Sequence, residues 1–149
     1  MSGSVSSVIA PPARPPGRRI ACWSARGVAF EVPRVRARLR RTLEGWGVVC
    51  PCVELLLLAG TELLSNAVRH AGGAGGRLRV TVTLGGGRLQ LDVADGDPRL
   101  PRFSPGADVD AESGRGLAIV SFLVDEAGGE LAAFRAAAGK VVRIRIPVA

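Results

Sequence analysis

The stretch that decides the fold is residues 51–71, PCVELLLLAGTELLSNAVRHA. Its apolar and small residues recur at spacings of three and four, which predicts one buried face of a helix: Leu56, Gly60, Leu63, Leu64, Ala67, Val68 and Ala71. Glu62 and Asn66 lie one turn apart on a different face, which is apolar earlier in the helix. The pattern therefore predicts a helix whose two polar side chains point into a site rather than into solvent.

Segments before and after this helix complete a mixed fold. They are one or two short strands within 19–32, a helix at 33–46, a hairpin of strands 77–84 and 88–95, a helix at 114–127 and a hairpin of strands 130–135 and 140–148. Helical spacing of apolar residues marks the helices, and alternation marks the strands. The order of these elements predicts an α+β fold, in which helices cover one face of a mostly antiparallel sheet.

The chain length of 149 residues suits a single domain. Residues 1–19 are rich in Pro, Ser, Gly and Arg, which is typical of a flexible tail, and we expect the folded domain to span residues 20–149. No apolar run reaches the ~20 residues that cross a bilayer, and the N-terminus lacks an apolar signal-peptide core. We therefore expect a cytoplasmic protein without a membrane partner.

The net charge of +7 raises the alternative of a basic nucleic-acid-binding protein. Lys140 is the only lysine, so arginine supplies almost all of the positive charge, which indicates a compositional bias. Tyrosine is absent and aromatic residues make up 4%, so platforms for base stacking are scarce. Cys50 and Cys52 are separated by one residue, which is too short a spacing for a zinc knuckle. We therefore expect neither a nucleic-acid partner nor a zinc site.

Two groups of polar residues on the predicted elements could bind or transform a ligand. Glu62 could take a proton or orient an attacking oxygen, and the Asn66 carbonyl could bind Mg²⁺, which prefers oxygen ligands. Alternatively, this pair is an ordinary solvated helix face. Asp95 ends strand 88–95 on its inward face, where the amino group of adenine could be its hydrogen-bond donor. Alternatively, Asp95 begins a turn.

A third group, Ser113-Gly114-Arg115-Gly116-Leu117, stands at the start of a predicted helix. Glycines there let backbone N–H groups approach phosphates, and the helix dipole favours anions. Arg115 could contact a terminal phosphate. Alternatively, the segment is a glycine-rich helix entry that Ser113 caps.

The order of these three groups resembles the N, G1 and G2 boxes of the histidine-kinase-like ATPases, the family that includes gyrase, Hsp90, histidine kinases and MutL. Residues 62–71 look like the N box of bacterial anti-sigma factor serine kinases and their stand-alone relatives, and residues 113–117 look like their G2 box. The resemblance covers roughly residues 20–148. It implies a two-layer α/β sandwich, the Bergerat ATP-binding fold, with ATP between the helix that carries Glu62 and a lid at 96–113.

The resemblance also implies roles for single residues. Asn66 would bind Mg²⁺, Asp95 would bind adenine, and Glu62 would act as the catalytic base toward a protein serine hydroxyl. The ATP-binding residues that it implies are Asn66, Arg69, Asp95, Gly114, Arg115, Gly116 and Leu117. The implied protein is a serine/threonine protein kinase that uses Mg-ATP to phosphorylate an anti-sigma factor antagonist, that binds a sigma factor to regulate transcription, and that forms a homodimer.

Two positions depart from the usual motifs of the family. Asp95-Gly96-Asp97-Pro98 keeps only the aspartate of Asp-x-Gly-x-Gly. After Gly139 and Lys140, Val141 stands where the family often has a Thr or Ser that supports the adenine site. These departures favour an alternative function, a non-catalytic module that binds a sigma factor or another regulator and uses ATP as a conformational ligand. The presence of Glu62 favours the protein kinase, because a module that only binds ATP and a partner does not need a catalytic base.

Overall fold

The helices and strands of the structure follow the predicted order. The computed structural model describes residues 17–49, 51–70, 76–101 and 111–148. In chain order these residues form β1 (Arg19–Arg26), α1 (Glu31–Gly45), α2 (Cys52–His70), β2 (Arg77–Gly85), β3 (Arg88–Asp95), α3 (Ala111–Glu126), β4 (Glu130–Ala136) and β5 (Gly139–Pro147). The predicted α+β class is confirmed, and most bounds lie close to the predicted ones.

The strands form one antiparallel sheet in the order β1-β2-β3-β5-β4. β3 is central, and every second residue of it from Leu89 to Asp95 is buried, as the alternation predicts. Across β3 and β5, Asp95 lies opposite Lys140 and Asp92 lies opposite Arg143. Because side chains alternate between the faces of a strand, the first pair lies on the helix-covered face and the second on the other face.

The helices of the described residues cover one face of this sheet. α2 lies over β3, while α1 packs near β1 on one side of it and α3 packs near β4 on the other. At Gly60 a Cβ would lie 3.1 Å from Leu91 Cδ2, so the missing side chain lets α2 approach the central strand closely. The core therefore lies between α2 and the inward face of the sheet. Within the described ranges, no helix has a stretch long and apolar enough to cross a membrane.

The start of α3 differs from the predicted one. The helix begins at Ala111 rather than at Gly114, so residues 113–117 lie within its first two turns rather than at its entry. Ala and Glu are strong helix formers, which accounts for the extension through residues 111 and 112. Much of the predicted lid, residues 102–110, and most of the predicted tail, residues 1–16, lie outside the described residues.

The packing of α2 predicts different costs for truncating two adjacent leucines. Leu57 is fully buried, whereas Leu58 is 44% exposed on the same helix. Leu57→Ala should lower the free energy of unfolding by about 2–5 kcal/mol, because it removes buried methyl groups and leaves a cavity. Leu58→Ala should change it by less than about 1 kcal/mol. Urea unfolding of both variants measures the difference, and equal losses would contradict this orientation of α2.

Candidate functional site

Five chain segments meet at one end of the helix-covered face. The start of β2 lies beside the end of β3, since Arg79 is opposite Ala94, and α2 ends shortly before β2 begins. β5 also begins at this end, with Lys140 opposite Asp95. α3 ends next to the start of β4 at the far end of the sheet, which places its own N-terminus here. The site is therefore built from the second half of α2, the end of β3 and the starts of β5 and α3.

Glu62 lies on α2 against the first turns of α3. Its side chain is half-buried. A Cβ at Gly116 would overlap the Glu62 Oε2 atom and come within 2.9 Å of its Cδ. The carboxylate can occupy this position only because residue 116 has no side chain. The structure thus brings together Glu62 and Gly116, two residues that the sequence patterns singled out separately.

The other predicted metal and phosphate ligands differ in their exposure. Asn66 lies one turn beyond Glu62 and is 8% exposed. Arg69 and Arg115 are exposed, so both side chains are accessible to a ligand. Leu117 is buried in the core, so only its backbone could contact a ligand.

The backbone of the 113–117 segment is helical, which changes how it could bind a phosphate. Because α3 begins at Ala111, the N–H groups without an intrahelical acceptor belong to its first turn, ahead of Arg115 and Gly116. A phosphate at this end would contact those amides and would be favoured by the helix dipole. Residues 114–117 therefore lie within a helix, and their role as ligands stays a prediction.

Asp95 is buried, as the alternation of β3 predicts, and its hydrogen-bond donors come from the protein itself. Lys140 Nζ donates to Asp95 Oδ1 at 3.1 Å and lies 3.0 Å from Oδ2, and the Asp97 N–H donates to Oδ1 at 2.8 Å. Lys140 Nζ also donates to the Asp97 carbonyl oxygen at 3.2 Å. The side chains of Asp95 and Lys140 are 2% and 3% exposed, so they form a buried ion pair.

Lys140 is the site residue that the motifs did not reveal, and Val141 does not belong to the site. Val141 lies opposite Ala94 and Phe134, on the face of the sheet away from the helices. Lys140 shares the inward face with Val142 and is as deeply buried. The alternation that placed Val142 inward could have placed Lys140 there too, but a lysine is seldom fully buried unless it is paired.

Gly139 brings the start of β5 against the end of β3. A Cβ at Gly139 would overlap the Asp95 carbonyl oxygen and lie 2.7 Å from Gly96 Cα. Only a residue without a side chain allows so close an approach. The approach holds Lys140, the next residue, beside Asp95.

Asp97 adds a second negative charge near this ion pair. Its carboxylate accepts hydrogen bonds from the side chain and the backbone N–H of Arg99 at 2.9–3.2 Å. These bonds lower the pKa of Asp97 to about 2. The carboxylate is therefore ionised at neutral pH.

A Mg²⁺ ion at Asn66 would need few protein ligands, because Mg²⁺ usually keeps several waters and binds one or two protein oxygens together with phosphates. Asn66 offers an amide oxygen one turn from the Glu62 carboxylate, which fits such a ligand set. In the part of the chain that the structure describes, no three His, Cys, Asp or Glu side chains form a metal cluster.

The fold and the polar groups at its end define a nucleotide-binding α/β sandwich. The chain matches the family model of the histidine kinase-like ATPase domain over residues 28–146. It therefore belongs to the histidine kinase-like ATPase family, and ATP is the ligand that this membership implies. The expected family is thus confirmed.

Two known proteins show how this domain occurs in longer chains. The chain is 36% identical over 109 residues to the sensor protein KdpD of Escherichia coli, a match that covers 65% of this chain and 12% of KdpD. It has the fold of the histidine kinase domain of the Erythrobacter litoralis EL346 blue-light activated histidine kinase, with a TM-score of 0.54 and 21% sequence identity. That match covers 80% of this chain and 60% of the other. The chain therefore spans only part of the length of both proteins.

Two aspartates of β3 provide a matched test of the buried ion pair. Each lies opposite a cation of β5, but Asp92 and Arg143 are 18% and 30% exposed, whereas Asp95 and Lys140 are buried. Asp95→Ala should lower the free energy of unfolding by about 3–5 kcal/mol, because Lys140 would stay buried without a counter-charge. Asp92→Ala should cost about 1 kcal/mol, since Arg143 remains partly solvated. Urea unfolding measures both losses, and equal values would show that Lys140 can escape to solvent.

Proposed function

We propose that this chain is a serine/threonine protein kinase that uses Mg-ATP to phosphorylate an anti-sigma factor antagonist. The observation that carries the proposal is the contact of Glu62 with Gly116, one helical turn from the buried Asn66. At this contact a carboxylate that can act as a base and an amide that can bind a metal lie near a helix N-terminus, at one end of an ATPase fold. These are the groups that phosphoryl transfer requires for positioning and charge neutralisation.

Different residues of the site would bind different parts of Mg-ATP. Asn66 would bind Mg²⁺ through its amide oxygen, and the first turn of α3 would bind phosphate through backbone N–H groups. Arg69 and Arg115, both exposed, would offset the negative charge of the phosphates. Asp95, at the end of β3, would bind the adenine base of the nucleotide.

Glu62 would act on the protein substrate rather than on the nucleotide. Mg-ATP, when bound, supplies the phosphoryl group. Glu62 would align the serine hydroxyl and take its proton. Its half-buried position against α3 limits the orientations of the carboxylate, and such positioning provides much of the rate of phosphoryl transfer.

The proposed partners rest on residues 62–71 and 113–117, which resemble the motifs of anti-sigma factor serine kinases. By this resemblance the chain would bind a sigma factor, form a homodimer and regulate transcription in the cytoplasm. Incubation with labelled ATP, Mg²⁺ and candidate antagonists tests the activity directly. Labelled phosphoserine on an antagonist would support the proposal.

The ion pair of Asp95 and Lys140 favours a second candidate function, a non-catalytic module. Because the buried carboxylate already has its donors, this end of the site needs no nucleotide to be stable. Such a domain could bind a sigma factor or another regulator and use ATP only as a conformational ligand. Binding of Mg-ATP without transfer to any antagonist would support this candidate over the kinase.

Asn66→Ala should weaken the binding of Mg-ATP at least about tenfold, because the metal loses its protein oxygen ligand. Thr61→Ala is the matched control on the same helix, since the Thr61 hydroxyl donates to the Leu57 carbonyl oxygen within α2. It should leave the affinity nearly unchanged. Isothermal titration calorimetry with and without Mg²⁺ measures both effects. Unchanged affinity in a folded Asn66→Ala variant would refute the metal assignment.

Glu62→Gln should reduce phosphoryl transfer about 10²–10⁴-fold and change the affinity for Mg-ATP little, because it removes the base and keeps the shape of the side chain. Glu54→Gln removes the same charge from the same helix, where Glu54 is paired with Arg40 at the surface. This control should transfer phosphate at the normal rate. Single-turnover transfer to the antagonist compares the two variants, and transfer that survives Glu62→Gln would exclude Glu62 as the base.

A further inference from the structure

We propose that the groove between α1 and the outer edge of β1 binds an extended acidic segment of a partner protein. The segment would add to the sheet as a further strand beside β1, and its carboxylates would pair with arginines of α1. In the sheet, β1 is separated by β2 from the strand that carries Asp95. The proposal therefore goes beyond the nucleotide site and does not depend on it.

Two adjoining cavities define this groove. One, of about 250 Å³, lies between the first half of α1 and residues 23–25 of β1. The other, of about 350 Å³, is a shallower cleft farther along α1. Trp23 and Arg38 line both cavities, so the two are neighbours along the helix. The half-buried indole of Trp23 packs against the core and gives the groove an apolar surface.

Three arginines of α1 line the groove in a row. Arg34, Arg38 and Arg41 are spaced by four and three residues, which places them on one side of the helix over about 10 Å. Of the described lining residues only Glu31 is acidic, and its contact with Arg34 is long, at 3.9 Å. Among the described residues, Arg38 and Arg41 have no salt-bridge partner. The groove therefore carries positive charge that an acidic ligand would balance.

β1 supplies the hydrogen-bonding groups for a further strand. It is a terminal strand of the sheet and pairs with β2, and no strand of the described ranges pairs with its other edge. At that edge every second residue directs its backbone N–H and C=O away from the sheet. A peptide that pairs there gains main-chain hydrogen bonds. Its alternate side chains would point to the face that α1 covers, so acidic residues at these positions would lie near the arginines.

The chemistry of the groove favours a partner peptide over other occupants. A nucleic acid could bind the arginines, but it has no peptide backbone with which to extend the sheet. A second copy of the chain that paired its β1 with this one would bring two rows of arginines together, which is unfavourable. Residues 1–16, which precede β1, contain no Asp or Glu. An acidic segment of another protein satisfies both the charge of α1 and the edge of β1.

The first test uses the fluorescence of Trp23. The chain has two tryptophans, so Trp46→Phe leaves Trp23 as the only one. The ligand is a synthetic peptide of about six residues with blocked ends that alternates Glu and Val. Its binding should shift the emission of Trp23 and should weaken as added salt screens the ion pairs. No shift, together with no heat of binding to the unaltered chain in calorimetry, would overturn the proposal.

Control peptides separate the role of charge from that of the strand edge. Replacing every Glu by Gln keeps the backbone and should weaken binding about tenfold, because the ion pairs are lost. N-methylation of alternate peptide nitrogens keeps the charge. In one of the two alternate sets the methyl groups would face β1 and block pairing, so only that set should abolish binding. Equal binding of both N-methylated peptides, or equally tight binding of an oligonucleotide of the same charge, would overturn the added strand.

The last test changes the arginines of the groove. Arg38→Gln together with Arg41→Gln should weaken binding of the acidic peptide about tenfold, and glutamine keeps the helix propensity of arginine. Arg36→Gln together with Arg88→Gln removes the same charge from exposed positions outside the groove and should leave the affinity unchanged. Mg-ATP should bind equally to both double variants. Equal peptide affinity of the two variants, or a dimer that binds the peptide only after dilution to monomers, would overturn the proposal.

Discussion

The burial of α2 between the sheet and the other two helices is the interaction on which the rest of the structure depends. Its inward side chains are removed from water by β3, while α1 and α3 pack against its flanks. Burial of apolar surface is the dominant favourable contribution to folding. A helix that is held on three sides cannot rotate without exposing leucines. The core therefore determines the direction in which Glu62 and Asn66 point.

Two glycines then determine how closely the neighbouring segments approach this helix and the central strand. Gly116 leaves space for the Glu62 carboxylate against α3, and Gly139 lets β5 meet the end of β3. At both positions a methyl group would overlap an atom of the site. The close approach of the backbone at these two glycines thus helps to bring the polar groups of the site together.

The sequence allowed the helices, the strands and the burial of Asp95 to be predicted, because each follows from a regular spacing of apolar residues. It did not reveal the partner of Asp95, since Lys140 is far from it in sequence and the pairing depends on the register between β3 and β5. The family motif placed Val141 at the adenine site, but its side chain lies on the other face of the sheet. The start of α3 was misplaced because Ser113 and the glycines are typical of a helix entry, whereas the residues before them favour an earlier start.

The ion pair has a practical consequence for the chemistry of the folded chain. Of its 20 basic residues Lys140 is the only lysine, so the only side-chain amine of the protein is buried beside Asp95. Acylating reagents need an accessible amine, and the burial of Lys140 denies them access. Among the side chains, amine-directed labelling, cross-linking and lysine-specific proteolysis have only Lys140 as a target, and they reach it only when this end of the domain opens. Their rates at that residue would report how often this end of the domain opens.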